Sequence, residues 1–153
     1  MIGIQPVDKI RAAEREFAEA NPDVNLMLRA ADQVAELAER MVPSGTILVV
    51  VGPGNNGGDG LFAARKLVRD GRRQVMVWPV AGTAHPQGVV AARQVGIRFL
   101  NDLEVGRLLP DIALVIDGIT GIGGRTGLPE NVHWFAEMCD VLKIPVLAID
   151  IPS

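Results

Sequence analysis

The sequence is poor in the residues that build disulfides, metal clusters and charged interaction surfaces. It contains one cysteine and two histidines among 153 residues. The single cysteine, Cys139, excludes an internal disulfide and fits a reducing compartment. His85 and His133 lie far apart with no second ligand at metal-binding spacing, which argues against a zinc site. The net charge of −3 offers no electrostatic footprint for a nucleic acid or a membrane surface.

Long apolar runs are also missing, although hydrophobic residues make up 48% of the chain. A membrane span needs a far longer run, and no basic region precedes an apolar stretch at the start, so we expect a cytoplasmic protein. A chain of this size forms one domain and can fold without disulfides or a structural metal. We place that domain at residues 1–153. We expect it to be truncated at its C-terminus, because "VLAIDIPS" stops just after a strand-like run.

Helical and strand-like segments alternate along the chain. A helix is predicted over residues 26–41, with one apolar side formed by Leu26, Ala30, Val34, Leu37 and Met41. The continuous apolar run "TILVVV" is typical of a parallel strand covered on both faces. The later segments "QVMVWPV", "IRFL", "IALVID" and "PVLAID" alternate with helices that include residues 60–70. This order predicts a doubly wound α/β fold.

Polar residues follow three of these predicted strands at the point where each strand ends. "TILVVV" is followed by Asn55, Asn56 and Asp59, "IALVID" ends in Asp117, and "PVLAID" ends in Asp150. Ligands of open α/β sheets bind at the carboxyl ends of the strands. The three segments are therefore expected to meet at one edge and form a single site.

The first of these segments, "GPGNNGGDG", also matches G-x-G-x-x-G through Gly52, Gly54 and Gly57, which suggests dinucleotide binding. The following strand ends in Pro79 and Val80, without the acidic residue that holds a ribose hydroxyl. The stretch is not a Walker A motif, and the chain has no G-x-S-x-G motif. A plain helix cap would need only one side chain, so two asparagines and an aspartate indicate a further role.

The second segment, "DGITGIGGRTG", is rich in glycine from Asp117 onward. Such a loop costs backbone entropy and suits a close approach of N–H groups to an anion. Asp150 alone is equally compatible with a turn residue that bonds the backbone.

Taken together, "GPGNNGGDGLFAARKL", "VIDGITGIGGRTG" and "AIDIPS" resemble the YjeF N-terminal domain family, the NAD(P)HX epimerases. The three motifs occur in the family's order and cover nearly the whole chain. The resemblance implies a Rossmann-like three-layer α/β/α sandwich with a mostly parallel sheet. It also implies interconversion of the R and S epimers of hydrated NADH and NADPH, a metabolite-repair reaction.

The resemblance also implies a set of site residues. Potassium is the implied cofactor, coordinated by Asn56, Asp117 and Ser153, whose oxygens suit a hard cation. Asp150 is the candidate catalytic acid–base group, because a strand holds it rigidly at the cleft. The implied substrate contacts are Asn55, Asn56, Gly57, Gly58, Asp59, Gly121, Ile122, Gly123, Gly124, Arg125, Thr126, Gly127 and Asp150.

The expected partner is a small molecule, NADHX or NADPHX, with no nucleic acid and no membrane, and a homodimer is one assembly to consider. A longer parent chain could carry a C-terminal ADP/ATP-dependent dehydratase domain. The alternative function is a non-catalytic nucleotide-binding or interaction module on the same fold. An ordinary NAD-dependent oxidoreductase is a third interpretation, which rests only on G-x-G-x-x-G.

Overall fold

The architecture is a five-stranded sheet covered by helices on both faces. A computed structural model describes residues 22–71, 73–119 and 128–149, together with residues 12, 15, 16, 19 and 20. The strands are β1 (Thr46–Val51), β2 (Val75–Pro79), β3 (Arg98–Phe99), β4 (Ile112–Gly118) and β5 (Val146–Ala148). The helices are α1 (Pro22–Met41), α2 (Asn55–Gly71), α3 (Pro86–Gln94), α4 (Asp102–Leu108) and α5 (Glu130–Leu142), with a 3₁₀ turn at Leu109–Asp111.

All neighbouring strands are parallel, and their order across the sheet is β3-β2-β1-β4-β5. The chain moves outward from β1 through β2 to β3, then returns to the other side of β1 for β4 and β5. The order therefore reverses between β1 and β4. In open α/β sheets such a reversal leaves a crevice at the carboxyl ends of the two strands, where ligands bind. This confirms the predicted Rossmann-like α/β fold.

Alternate residues of the central strands feed two separate cores. On one face, Val49 and Leu114 pack with residues of α1, α2 and α3, including Ala35, Leu61 and Ala92. On the other face, a second cluster joins the strands to α4 and α5; it contains Leu48, Val50, Met76, Trp78, Val105, Val115, Phe135 and Cys139. Five of the six residues of β1 are fully buried, as expected for a strand covered on both sides.

The buried face of α1 differs from the predicted one. Leu26 is 66% exposed, and Leu37 and Met41 are each 42% exposed. The residues that α1 buries are mostly small: Met27, Ala31, Ala35 and Ala38. The prediction was wrong for Leu26, Leu37 and Met41, whereas Val34 does pack against the core. Alanines on the contact face let α1 lie close to α2, a packing advantage that hydrophobicity alone does not reveal.

Ion pairs reinforce this helix at its edges. Lys66 Nζ of α2 lies 3.0 Å from Asp32 Oδ1 of α1, and the Arg73 Nη2 lies 3.2 Å from Glu39 Oε2. The first pair joins α1 to α2, and the second joins α1 to the segment just before β2. In the part of the chain that the structure describes, no helix combines the length and apolarity needed to cross a membrane.

The corrected face of α1 can be tested with two adjacent residues. Ala38 is 0% exposed, so Ala38→Leu should overpack the α1–α2 contact and lower the free energy of unfolding by roughly 1–3 kcal/mol. Leu37→Ala removes an exposed side chain and should change it by less than about 0.5 kcal/mol. Urea denaturation of both variants measures this, and the reverse ranking would restore the face predicted from hydrophobicity.

Candidate active site

The candidate site lies at the carboxyl ends of β1 and β4, where the strand order reverses. The parallel pairing runs to the last residues of both strands, Val51 beside Gly118, and the Gly52 N–H then donates to the Gly118 carbonyl at 3.4 Å. Strand β5 reaches the same edge, because the Ile149 N–H donates to the Asp117 carbonyl at 2.9 Å. The ends of three strands therefore meet, as the sequence predicted.

Residues 55–59, which precede the helix predicted over residues 60–70, are themselves helical. α2 begins at Asn55, and the Gly58 N–H donates to the Gly54 carbonyl at 3.2 Å. The N–H groups of a helix's first turn have no acceptor within the helix itself, and Asn55 and Gly57 lie in this turn. Together with the helix dipole, such donors favour an anion such as a phosphate.

Glycine is required in this first turn because the strands come so close. A Cβ at Gly57 would run into the carbonyl oxygen of Gly52 and lie 3.0 Å from its carbonyl carbon. A Cβ at Gly118 would lie 2.9 Å from the carbonyl oxygen of Val50 and 3.1 Å from that of Asn56. Glycine at these two positions lets α2 start directly against the strand ends, although glycine has a low helix propensity.

Asp117 is one of two charged or polar residues that the described part of the chain buries, at 2% exposure. It pairs beside Val50 in the sheet, and its Oδ1 accepts a hydrogen bond from the Ile119 N–H at 2.8 Å. This bond fixes the carboxylate at the root of the loop that leaves β4. The backbone of Asn56 lies against Gly118, the residue that follows Asp117. The structure therefore brings Asn56 and Asp117, two predicted site residues, close together.

Asp59 is the other buried carboxyl group, also 2% exposed. Its Oδ1 is fully enclosed and has no hydrogen-bond partner among the described residues. Desolvation by burial raises the pKa of Asp59 from its ordinary 3.8 to about 6. Burying a carboxyl group without a partner lowers the stability of the fold, so carboxyl groups with such a raised pKa concentrate at functional sites.

The remaining predicted site residues divide in two. Asn55, Asn56, Gly57, Gly58 and Asp59 form the first turn of α2, beside Asp117. The loop residues Gly121 to Gly127, together with Asp150 and Ser153, lie outside the described residues. The chain reaches Asp150 directly after Ile149, whose backbone is bonded to Asp117.

From the sequence alone, His85 had no role beyond arguing against a zinc site. His85 is the N-cap of α3, and its Nδ1 accepts a hydrogen bond from the Gly88 N–H at 3.2 Å. Its ring also lies against the first turn of α2, since a Cβ at Gly58 would be 3.1 Å from the His85 Cγ. The available signal was a histidine immediately before a proline at a predicted helix start.

Comparisons with known proteins identify the family of this chain. A family model described as "YjeF-related protein N-terminus" matches residues 24–153. The chain belongs to this YjeF-related family. A crystal structure of the yeast protein ynu0, YNL200c, has the same fold, with a TM-score of 0.69 at 24% identity, and the match covers 95% of this chain and 69% of that one.

Among curated relatives of this YjeF-related chain, an NAD(P)H-hydrate epimerase of Clavibacter michiganensis is 41% identical, with 94% of this chain and 66% of the relative covered. The bifunctional NAD(P)H-hydrate repair enzyme Nnr of Corynebacterium glutamicum is 38% identical, with 96% and 27% covered. An epimerase of Rhodopirellula baltica is 36% identical, with 86% and 57% covered. The chain thus spans less than two thirds of the length of each of these relatives.

The close approach at Gly57 predicts an unusual response to alanine. Alanine normally favours a helix by about 1 kcal/mol over glycine, yet Gly57→Ala should lower the free energy of unfolding by at least about 2 kcal/mol, because the new Cβ meets the Gly52 carbonyl. Gly54→Ala is the matched control, since nothing lies within 4 Å of a Cβ there. Equal stability of the two variants in thermal denaturation would contradict the described contact.

The raised pKa of Asp59 should make the free energy of unfolding depend on pH. Its pKa is higher in the folded protein, about 6, than its ordinary value of 3.8, so the folded state binds more protons between these values. Its protonation favours folding at low pH, and the free energy of unfolding should fall as the pH rises through about 4 to 7. Asp59→Asn should therefore be more stable than the native protein at pH 8, by roughly 1–3 kcal/mol, and much closer to it at pH 4.5.

Urea denaturation at the two pH values measures this difference. Asp70→Asn, at the exposed end of the same helix, is the control and should show no such trend. An Asp59→Asn difference that stays constant with pH would mean that the carboxyl group is not desolvated as described.

Proposed function

We propose that this protein is an NAD(P)H-hydrate epimerase, which interconverts the R and S epimers of NADHX and NADPHX. The observation that supports this proposal is the convergence of the first turn of α2 with Asp117 at the strand reversal. A helix N-terminus suited to phosphate and a buried carboxylate lie side by side there. The curated relatives named as epimerases match this same region.

In this proposal the substrate's diphosphate binds at the N-terminus of α2. The N–H groups of this first turn, including those of Asn55 and Gly57, supply donors to the phosphate oxygens. We propose Asp59, in the same turn, as a further contact; its raised pKa of about 6 favours the protonated form, which a diphosphate repels less. The second proposed contact is the loop of Gly121 to Gly127, which follows Asp117.

Potassium fits the donors that the described residues place here. Asn56 and Asp117 offer amide and carboxylate oxygens, the ligand type that hard cations prefer, and the Asn56 backbone lies against Gly118, the residue after Asp117. We propose that these two residues and Ser153 hold the ion. A cation bound there would supply positive charge next to the substrate's phosphates. The described part of the chain contains no group of three or more His, Cys, Asp or Glu residues arranged for a metal ion.

The reaction itself needs proton transfer at one carbon. The hydrate is a carbinolamine, whose hydroxyl-bearing carbon must become planar before it can close on the other face. Water loss or ring opening both need a proton delivered and a proton removed, work suited to a positioned carboxyl group. We propose Asp150 for this role, since it follows Ile149, whose backbone N–H is bonded to the carbonyl of Asp117. Asp117 suits it less, because a carboxylate bound to a cation is a poor proton acceptor.

The proposal also covers the parent protein, the cellular location and the oligomeric state. The relative named as bifunctional is far longer than this chain, so we propose that a parent protein could join this domain to an ADP/ATP-dependent dehydratase. We further propose a cytoplasmic location and a homodimer. The substrate is a free small molecule, and no nucleic acid takes part.

The decisive experiment follows the conversion of purified R-NADHX to S-NADHX by chromatography. The protein should exceed the spontaneous rate in potassium buffer and lose activity when a bulky organic cation replaces potassium. Asp150→Asn should bind the substrate yet lose about 10²–10⁴-fold in turnover, the usual effect of removing one general acid–base group.

The controls separate the parts of this proposal. A folded protein, checked by circular dichroism, that never exceeds the spontaneous rate overturns the epimerase assignment. If it binds the substrate without turning it over, the non-catalytic binding module is the better description. Activity that is equal in both salts removes the potassium site, and near-native turnover of Asp150→Asn moves the acid–base role to another residue.

A further inference from the structure

His85 makes three contacts at the carboxyl edge of the sheet that the proposed chemistry does not use. Its Nδ1 accepts the Gly88 N–H at 3.2 Å and so caps α3. Its ring meets the edge of Phe62 in α2, with ring centroids 6.5 Å apart and planes at 62°. The same ring lies over Gly58, where an added Cβ would be 3.1 Å from the His85 Cγ.

These contacts join the starts of two helices. α3 lies tightly on α2, since a Cβ at Gly88 would be only 2.8 Å from Cδ1 of Leu61. Met27 of α1 approaches the same position, with its Sδ 2.8 Å from a Cβ added at Gly58. A methionine of α1 and the imidazole that caps α3 therefore both pack on Gly58.

The first turn of α2 needs such support for a physical reason. The N–H groups of a first turn lack partners within the helix, and glycines add backbone freedom, so an unsupported turn of this composition would fray. A frayed turn would not hold its donors at fixed positions for a phosphate, and preorganisation of such donors determines how tightly the anion binds.

We propose that His85 is a positioning residue, whose ring holds the first turn of α2 in the helical geometry that binds the substrate's diphosphate. The proposal rests on the function proposed above for this site. It assigns His85 no contact with the substrate. It predicts that loss of the ring weakens substrate binding, while loss of a helix cap elsewhere does not.

Two kinds of variant separate positioning from stability. His85→Asn and His85→Ser remove the ring but keep an oxygen that can accept the Gly88 N–H, and both residues are preferred N-caps. Each should leave Tm within about 2 °C of the native value. Asn101→Ala is the matched control. It removes the cap of α4, where the Asn101 Oδ1 accepts the Glu104 N–H at 2.9 Å, and should lower Tm by about 2–6 °C.

The first measurement is steady-state kinetics with R-NADHX in potassium buffer. Both His85 variants should raise KM about 3- to 10-fold with kcat within about twofold, the pattern expected when ground-state and transition-state binding are lost together. Asn101→Ala should keep the native KM despite its lower Tm. Native KM in both His85 variants would overturn the proposal.

The second measurement does not depend on activity. Hydrogen–deuterium exchange of the free protein, resolved over residues 55–62, should be at least about fivefold faster in both His85 variants and unchanged in Asn101→Ala. Native exchange rates in both His85 variants would overturn the proposal. Failure of the native protein to epimerise R-NADHX would overturn the proposed function alone, because exchange still decides the role of His85.

Discussion

The close contact between the first turn of α2 and the ends of β1 and β4 is the constraint on which the rest of the site depends. Gly57 faces the carbonyl of Gly52, and Gly118 faces the carbonyls of Val50 and Asn56. Without side chains at these positions, the helix starts almost directly on the strand ends. The N–H donors of the turn and the carboxylate of Asp117 are consequently brought to one edge, within a crevice that the strand order creates.

This arrangement places two buried carboxyl groups in different environments. Asp117 is oriented by a hydrogen bond from the backbone of Ile119, whereas an oxygen of Asp59 is enclosed without a partner among the described residues. Burial raises the pKa of Asp59 to about 6, so part of its population carries a proton near neutral pH. The cost falls on folding stability, a trade-off common at functional sites.

The surrounding helices support the turn by close packing. Alanines on the inner face of α1 and glycine at position 88 of α3 let both helices approach α2. Met27 and His85 then reach the same glycine from opposite helices. Helices α1 and α3 therefore both support the first turn of α2, while its N–H groups remain at the strand ends. In this architecture small residues determine where the functional groups lie, and large residues fill the two cores.

The sequence by itself determined the fold class and the general location of the site. Continuous apolar strands alternating with helices can form only a few kinds of sheet, and parallel strands must deliver their final residues to one edge. The polar residues after β1 and β4 were therefore predictable as neighbours, and the specific motifs indicated the family.

Only the tertiary structure decided the rest, since it depends on distances between segments far apart in the chain. The sequence predicted a helix over residues 60–70, yet α2 begins at Asn55, where glycines at 57 and 118 let it start directly against the strand ends. Hydrophobicity predicted that Leu37 of α1 is buried, yet close helix packing buries Ala38 instead. The role of His85 could not be read from its sequence neighbours, because Gly58 and Phe62 meet it only after three segments have packed together.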